Sequence, residues 1–158
     1  MSETTIEPDA SSTAFTDRTA LDISLLVLRV IVGVIMAAHG AQKLFGVFGG
    51  GGMQPLVDNI GMLAYPVAIG EFFGGLGMVV GLLARFSAVA NIVIMIGAIA
   101  MVHGKNGFFL SNGGYEYNLA LIGLLVPIVL VGPGRYALGR CLPLPKARHS
   151  DRPVAVLE

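Results

Sequence analysis

The chain has 158 residues, 54% of them hydrophobic and 13% charged, with ten basic residues against ten acidic ones and a mean hydropathy of +0.77. A soluble domain carries nearer to about a quarter of charged residues, so this composition excludes an ordinary water-soluble fold and points to one integral membrane domain. Zero net charge gives no electrostatic basis for a nucleic-acid partner, and a single cysteine, Cys141, excludes an internal disulfide.

Residues 1–20 are rich in Ser, Thr and acidic side chains and poor in large apolar ones, which predicts a disordered tail. They lack a basic start and an immediate apolar core, so they are not a secretory signal, and the first span is expected to do the targeting. That span is expected at 22–45, with Asp22 read as its cap. It is apolar from Leu25 to Ala38 apart from Arg29, then turns polar at His39, Gln42 and Lys43. Gly46 and the run Gly49-Gly50-Gly51-Gly52 form a breaker. Residues 53–64 are too few to span. Met53, Leu56, Val57 and Ile60 recur at helical spacing opposite Asp58 and Asn59, which predicts a short amphipathic helix in the interface or folded against the bundle.

The second span is expected at 66–84, with Pro66 in its first turn, where a missing N–H costs nothing. Gly70/Gly74 and Gly77/Gly81 are GxxxG pairs that let a neighbouring helix come close. Arg85 marks a tight turn into a third span at 86–102, in which Asn91 is the only strongly polar residue. The loop that follows is rich in turn residues (Ser111-Asn112-Gly113-Gly114). A fourth span at 115–131 contains Pro127, expected to kink it, and ends at Gly132-Pro133-Gly134. The fold class is therefore all-α: an integral membrane four-helix bundle over 21–139, with a short amphipathic helix between spans one and two. Residues 1–20 and a basic segment at 140–158 form the two tails.

Four spans put both termini on one side. Arg18, Arg85, Arg135, Arg140, Lys146, Arg148 and Arg152 fall on that side, and Lys43 and Lys105 on the other. The positive-inside rule then makes both tails cytoplasmic in a cell (inner) membrane, with Cys141 a free thiol in a reducing compartment.

Rise per residue places the polar groups in depth. Counted from the cytoplasmic edge, Glu71 lies about 21 Å up, His39 about 25 Å, His103 about 27 Å and Glu116 about 28 Å, with Gln42 and Lys43 slightly higher. Four spans thus deliver His39, Gln42, Lys43, Glu71, His103, Glu116, Tyr117 and Asn118 to one outer layer. Each has a bland explanation in isolation: loop residues are solvated, and Lys43 snorkels to head groups. Glu71 is harder to dismiss, because a carboxylate among apolar residues in a span must be neutral or paired. Two readings stay open: a structural bond from Glu71 to a His or Lys across helices, and a ligand pocket lined by the whole set. Arg29 and Asn91, about 10 Å and 9 Å up, are read as structural, bonded to each other or reaching inner head groups.

Read in order, Leu28-Arg29, His39-Gly40-Ala41-Gln42-Lys43-Leu44-Phe45-Gly46, Glu71-Phe72-Phe73-Gly74-Gly75, Gly81-Leu82-Leu83-Ala84-Arg85, His103, Asn106-Gly107-Phe108-Phe109, Gly113-Gly114-Tyr115-Glu116-Tyr117-Asn118 and Gly132-Pro133-Gly134-Arg135-Tyr136 resemble the DoxX family of small four-helix membrane proteins. The family often continues Gly-Pro-Gly-Arg with Ser-Leu-Asp, where this chain has Tyr136-Ala137-Leu138-Gly139. The resemblance implies a membrane subunit of redox systems. Relatives include a small subunit of thiosulfate:quinone oxidoreductase, and many members have no assigned activity.

The reading favoured at this point is a redox subunit that binds a quinone or a small sulfur or thiol substrate in an outward-facing polar pocket. His39, Lys43 or His103 would donate to quinone carbonyls, and Glu71 or Glu116 would relay protons. No individual catalytic residue and no metal site is assigned. The sequence has no flavin motif, CxxC or cysteine cluster, so a redox partner protein or a bound cofactor would have to carry electrons. A haem between His39 and His103 is the weaker cofactor reading, because two histidines near an outer edge are more often members of a polar layer. Two other classes remain. One is a non-catalytic membrane anchor that recruits a soluble partner through the basic tail. The other is a small proton-coupled transporter with Glu71 as its coupling acid. Membrane lipid is a partner in every case, and a homo-oligomer is left open.

Overall fold

The computed structural model describes the backbone of residues 10–140 and the side chains of residues 18–140. Among these the regular structure is all helical. The long helices are α1 (Ala10–Phe45), α3 (Ala64–Val80), α4 (Ala84–Ala98) and α5 (Glu116–Leu130), with the short α2 (Gln54–Ile60) between α1 and α3. The stretches Arg18–Phe45, Gln54–Val80 and Ala84–Asn106 are long and apolar enough to cross a membrane, and the fourth, Glu116–Leu130, is apolar but shorter. The architecture is the expected four-helix membrane bundle with a short helix between the first two spans.

The boundaries differ from expectation at two places. Helix α1 starts at Ala10 rather than Asp22, so residues 10–20, expected to be disordered, prolong the first span as helix. No Gly or Pro interrupts residues 10–32, and extending an existing helix costs far less than nucleating one. Asp22 is accordingly not a cap; its carboxylate accepts the backbone N–H of Arg135 at 2.9 Å. At the far end of α4 the chain continues through a π-helical turn, Ile99–His103, and a 3-10 turn, Gly104–Asn106. The basic tail beyond Arg140 lies outside the described residues.

Each span buries a narrow stripe and gives its broad apolar face to lipid. On α3 the buried positions are Ala64, Ala68, Glu71, Gly75 and Met78, while Ile69, Phe73, Leu76 and Val80 are exposed. The interior joins Val32 and Met36 of α1 and Met78 of α3 to Ala88 and Met95 of α4 and Leu121, Leu125 and Ile128 of α5. Its small residues set the helix spacing. A Cβ on Gly75 would strike the backbone of Ala37 and Gly33, and one on Gly40 would strike the backbone of Phe72. Hence α1 and α3 pack backbone to backbone. The GxxxG row on α3 serves the other neighbour: Gly70 meets Ile94, Gly74 meets Asn91 and Gly77 meets Ser87.

The end carrying the α3–α4 turn is clasped by arginines. Gly81, at φ +77°, ends α3, and its missing side chain is replaced by the Arg29 guanidinium and by Ala137. Arg29, only 1% exposed, donates from Nη2 to the Tyr136 carbonyl at 2.9 Å. Arg85 donates from Nη2 to the carbonyls of Leu130 and Val131 at 3.3 and 3.2 Å, which satisfies free carbonyls at the end of α5. The structural reading of Arg29 and Asn91 is therefore kept but its partners change. Asn91 donates to Ser87 O at 2.8 Å, and no bond joins it to Arg29.

Gly75→Leu should destabilise the bundle by about 1–3 kcal/mol, the usual cost of overpacking. Gly123→Ala, at a position where a Cβ meets nothing within 4 Å, should be neutral or gain up to about 1 kcal/mol of helix propensity. Denaturant titration in detergent micelles checks both. Equal stability of the two variants would refute the close α1–α3 contact.

Candidate functional site

The end of the bundle opposite the arginine clasp holds a cavity of about 340 Å³. Helix α1 offers Met36, His39 and Lys43 to it, spaced three and four residues apart and so on one face. Helix α3 offers Glu71, and α4 offers Met95 and Ala98. The π-helical turn brings His103, and α5 brings Tyr117, Asn118 and Leu121. Leu110 and Gly114 of the connecting loop complete the wall.

In its wall Lys43 Nζ and Glu71 Oε2 form a hydrogen-bonded ion pair. The carboxylate residue is 3% exposed, and the Lys43 side chain is 27% exposed. Burying either charge alone in this apolar setting would be costly, so each holds the other in place. Only Oε2 of the carboxylate is engaged; among the described residues Oε1 accepts no hydrogen bond.

The other lining groups are oriented from behind. His103 Nδ1 lies 2.8 Å from the carbonyl of Gly113. A carbonyl can only accept, so Nδ1 is the donor in this bond. Asn106 donates to the same carbonyl at 3.1 Å, which ties the loop over the cavity. Buried Asn118 donates to the Met95 sulfur at 3.4 Å. The ring of His39 packs edge-on against Tyr117, with centroids 5.9 Å apart.

Of the eight residues expected in this layer, His39, Lys43, Glu71, His103, Tyr117 and Asn118 line the cavity, and Gln42 and Glu116 do not. Gln42 donates to the Phe48 carbonyl at 3.1 Å and holds the glycine-rich loop, where Phe48 sits at φ +53°. Glu116 is exposed and accepts the Leu110 N–H at 2.9 Å, capping the 3-10 turn Leu110–Asn112. Counting along a helix gives a residue's height but not which way its side chain turns. Met36, Met95 and Leu121 were missed as lining residues. For two of them the signal was present: Met36 and Leu121 each lie three residues from a polar lining residue on the same helix, His39 and Asn118.

The family model described as DoxX matches residues 24–104, just over half of the chain. One relative, named "Putative oxidoreductase CatD", from Bacillus subtilis (strain 168), is 34% identical over 105 residues, covering 65% of this chain and 75% of its own. Another, named "Inner membrane protein YqjF", from Escherichia coli (strain K12), is 24% identical over 121 residues, covering 77% of this chain and 93% of its own. No solved structure matches the chain.

Lys43→Met should cost about 3 kcal/mol, the lower part of the range for removing one partner of a buried pair, because Lys43 is partly exposed. Adding Glu71→Gln should restore at least half of that loss. Unfolding in micelles measures both. A Lys43→Met protein within about 0.5 kcal/mol of wild type, the usual scatter of a surface substitution, would show that the pair does not hold the site.

Proposed function

The chain belongs to the DoxX family, and from that premise we propose that it is a membrane subunit of a redox system that holds a quinone head group, or a small sulfur or thiol substrate, in the cavity around Glu71. The observation that carries the reading is the Lys43–Glu71 pair in the wall of an otherwise largely apolar cavity. A ligand site of this kind is concave and mostly apolar, with a few convergent polar groups. Lys43 supplies ammonium donors to a carbonyl or an anion. Glu71 and His103 supply proton-accepting atoms. Reducing a quinone to a quinol takes two electrons and two protons: the protons pass through groups such as Glu71 and His103, and the electrons come from a redox partner protein. The name of the Bacillus relative belongs to the same chemical class.

In this reading the cavity lies toward the outside and both termini toward the cytoplasm of a bacterial-type inner membrane, a placement that the bias of arginines toward the clasped end supports. The other end carries Lys43 and Lys105.

Protein purified in mild detergent should retain a quinone detectable by mass spectrometry, or bind added menadione or thiosulfate, and Glu71→Gln should lower retention at least tenfold. If wild type neither retains nor binds any of these, the redox-ligand reading fails. For orientation, Cys141 in intact cells should resist a membrane-impermeant maleimide, whereas Ser111→Cys in a Cys141→Ser background should react. The reverse labelling pattern would invert the topology.

A further inference from the structure

A second cavity, of about 330 Å³, lies beside the first, between α2 and α4. Leu56, Ile60, Val67, Ile94, Gly97 and Met101 form most of its apolar wall. Among its lining residues Leu63, Val93 and Met101 are 54%, 63% and 50% exposed beside exposed Asn59, so most of the open edge is apolar. Lys43, Glu71 and His103 line both cavities. The polar wall of one is therefore the inner end of the other.

Gly97 sets this groove apart from ordinary helix packing. The glycines on α3 that face α4 each meet a side chain: Ile94 at Gly70, Asn91 at Gly74 and Ser87 at Gly77. A Cβ on Gly97 would meet nothing within 4 Å, and the residue is half-buried in the middle of the third span. No neighbour requires a glycine there. What its missing side chain leaves is open volume at the groove wall.

We propose that the groove takes the hydrocarbon chain of an amphiphile whose head occupies the polar cavity, entering sideways from the bilayer between α2 and α4. The ligand class is thereby a quinone with a long apolar tail rather than a water-soluble sulfur anion, which has no use for an apolar side chamber. This rests on the head-group reading above and narrows it.

The test uses the full chain in nanodiscs and a benzoquinone bearing a decyl chain with a terminal diazirine. After illumination, labelled residues are mapped by mass spectrometry, and binding of a chain-free dimethoxybenzoquinone is measured in parallel. Wild type should be labelled at Leu56, Val93 or Met101. Gly97→Phe, which fills the groove, should lose that labelling at least tenfold while binding the chain-free quinone as wild type does. Gly97→Ala should keep the labelling, since its methyl group meets nothing, and Gly97→Leu replaces the Phe variant should that one not fold. Labelling that is unchanged in Gly97→Phe, or scattered over the lipid-facing surface, while the chain-free quinone still binds, overturns the groove and leaves the head-group reading standing. Failure of wild type to bind either quinone overturns both.

Discussion

Much of the polar site depends on how closely α1 and α3 approach. Gly40 lies against the backbone of Phe72, and Gly75 lies against Ala37 and Gly33. Lys43 is one turn beyond Gly40, and Glu71 is the residue before Phe72. With the backbones in contact at that level, the ammonium and the carboxylate have little choice but to meet. Were the helices spaced by ordinary side chains, at the 8–10 Å typical of packed helices, the same two residues would face each other across a gap that lipid or water would have to fill. The ion pair is thus a consequence of glycine placement, and it strengthens the contact that creates it.

Charge is buried at both ends of the bundle, with opposite outcomes. At the clasped end Arg29 is matched by a backbone carbonyl and wedged against Gly81 and Ala137. Among the described residues its Nε and Nη1 have no hydrogen-bond partner, and the residue lines neither of the two cavities above. A buried guanidinium with unmet donors costs stability, and what it does there is tie Tyr136 to α1, beside the bond between Asp22 and Arg135. At the other end the acceptor is a side-chain carboxylate beside open volume. There a buried charge is balanced by a partner side chain rather than by the backbone.

The existence and order of the spans were legible because length and hydropathy suffice in lipid, where the backbone must satisfy itself as helix. The layer of polar residues was legible for a similar reason: rise per residue is fixed, so depth follows from counting. Direction was not. In a soluble helix the apolar face points inward; here Ile69, Phe73, Leu76 and Val80 point out, and Ala64, Ala68 and Gly75 point in. Both faces are apolar, so hydrophobic pattern cannot separate them. Small residues can, and Gly40 and Gly75 did mark the inner face of their helices. Gln42 and Glu116 were placed in the cavity because counting gave their height, whereas local backbone acceptors and donors (the Phe48 carbonyl and the Leu110 N–H) claimed their side chains. The start of α1 was misplaced for a related reason: a polar composition says that a segment has no core to bury, yet a helix already nucleated can run on through it.

The remaining constraint is lateral. Glu71 sits in the second turn of α3, a level at which a spanning helix with nothing beside it would present its carboxylate close to the head groups. Helix α2 leads into α3 through the 3-10 turn Gly61–Leu63, with Gly61 at φ +62° breaking the line between them. The turn lets α2 fold over, so that Leu56 and Ile60 share a cavity with Glu71. None of the residues of α2 is buried, so it contributes little to the core. Its position matters instead: it puts an apolar roof beside the ion pair, which keeps the local dielectric low and the pair strong. A short helix that packs weakly and sits beside a charged pair is better explained as a wall of the site than as a support of the bundle. On that argument the interval between the first two spans is a wall of the cavity, even though its composition reads as a mere connection.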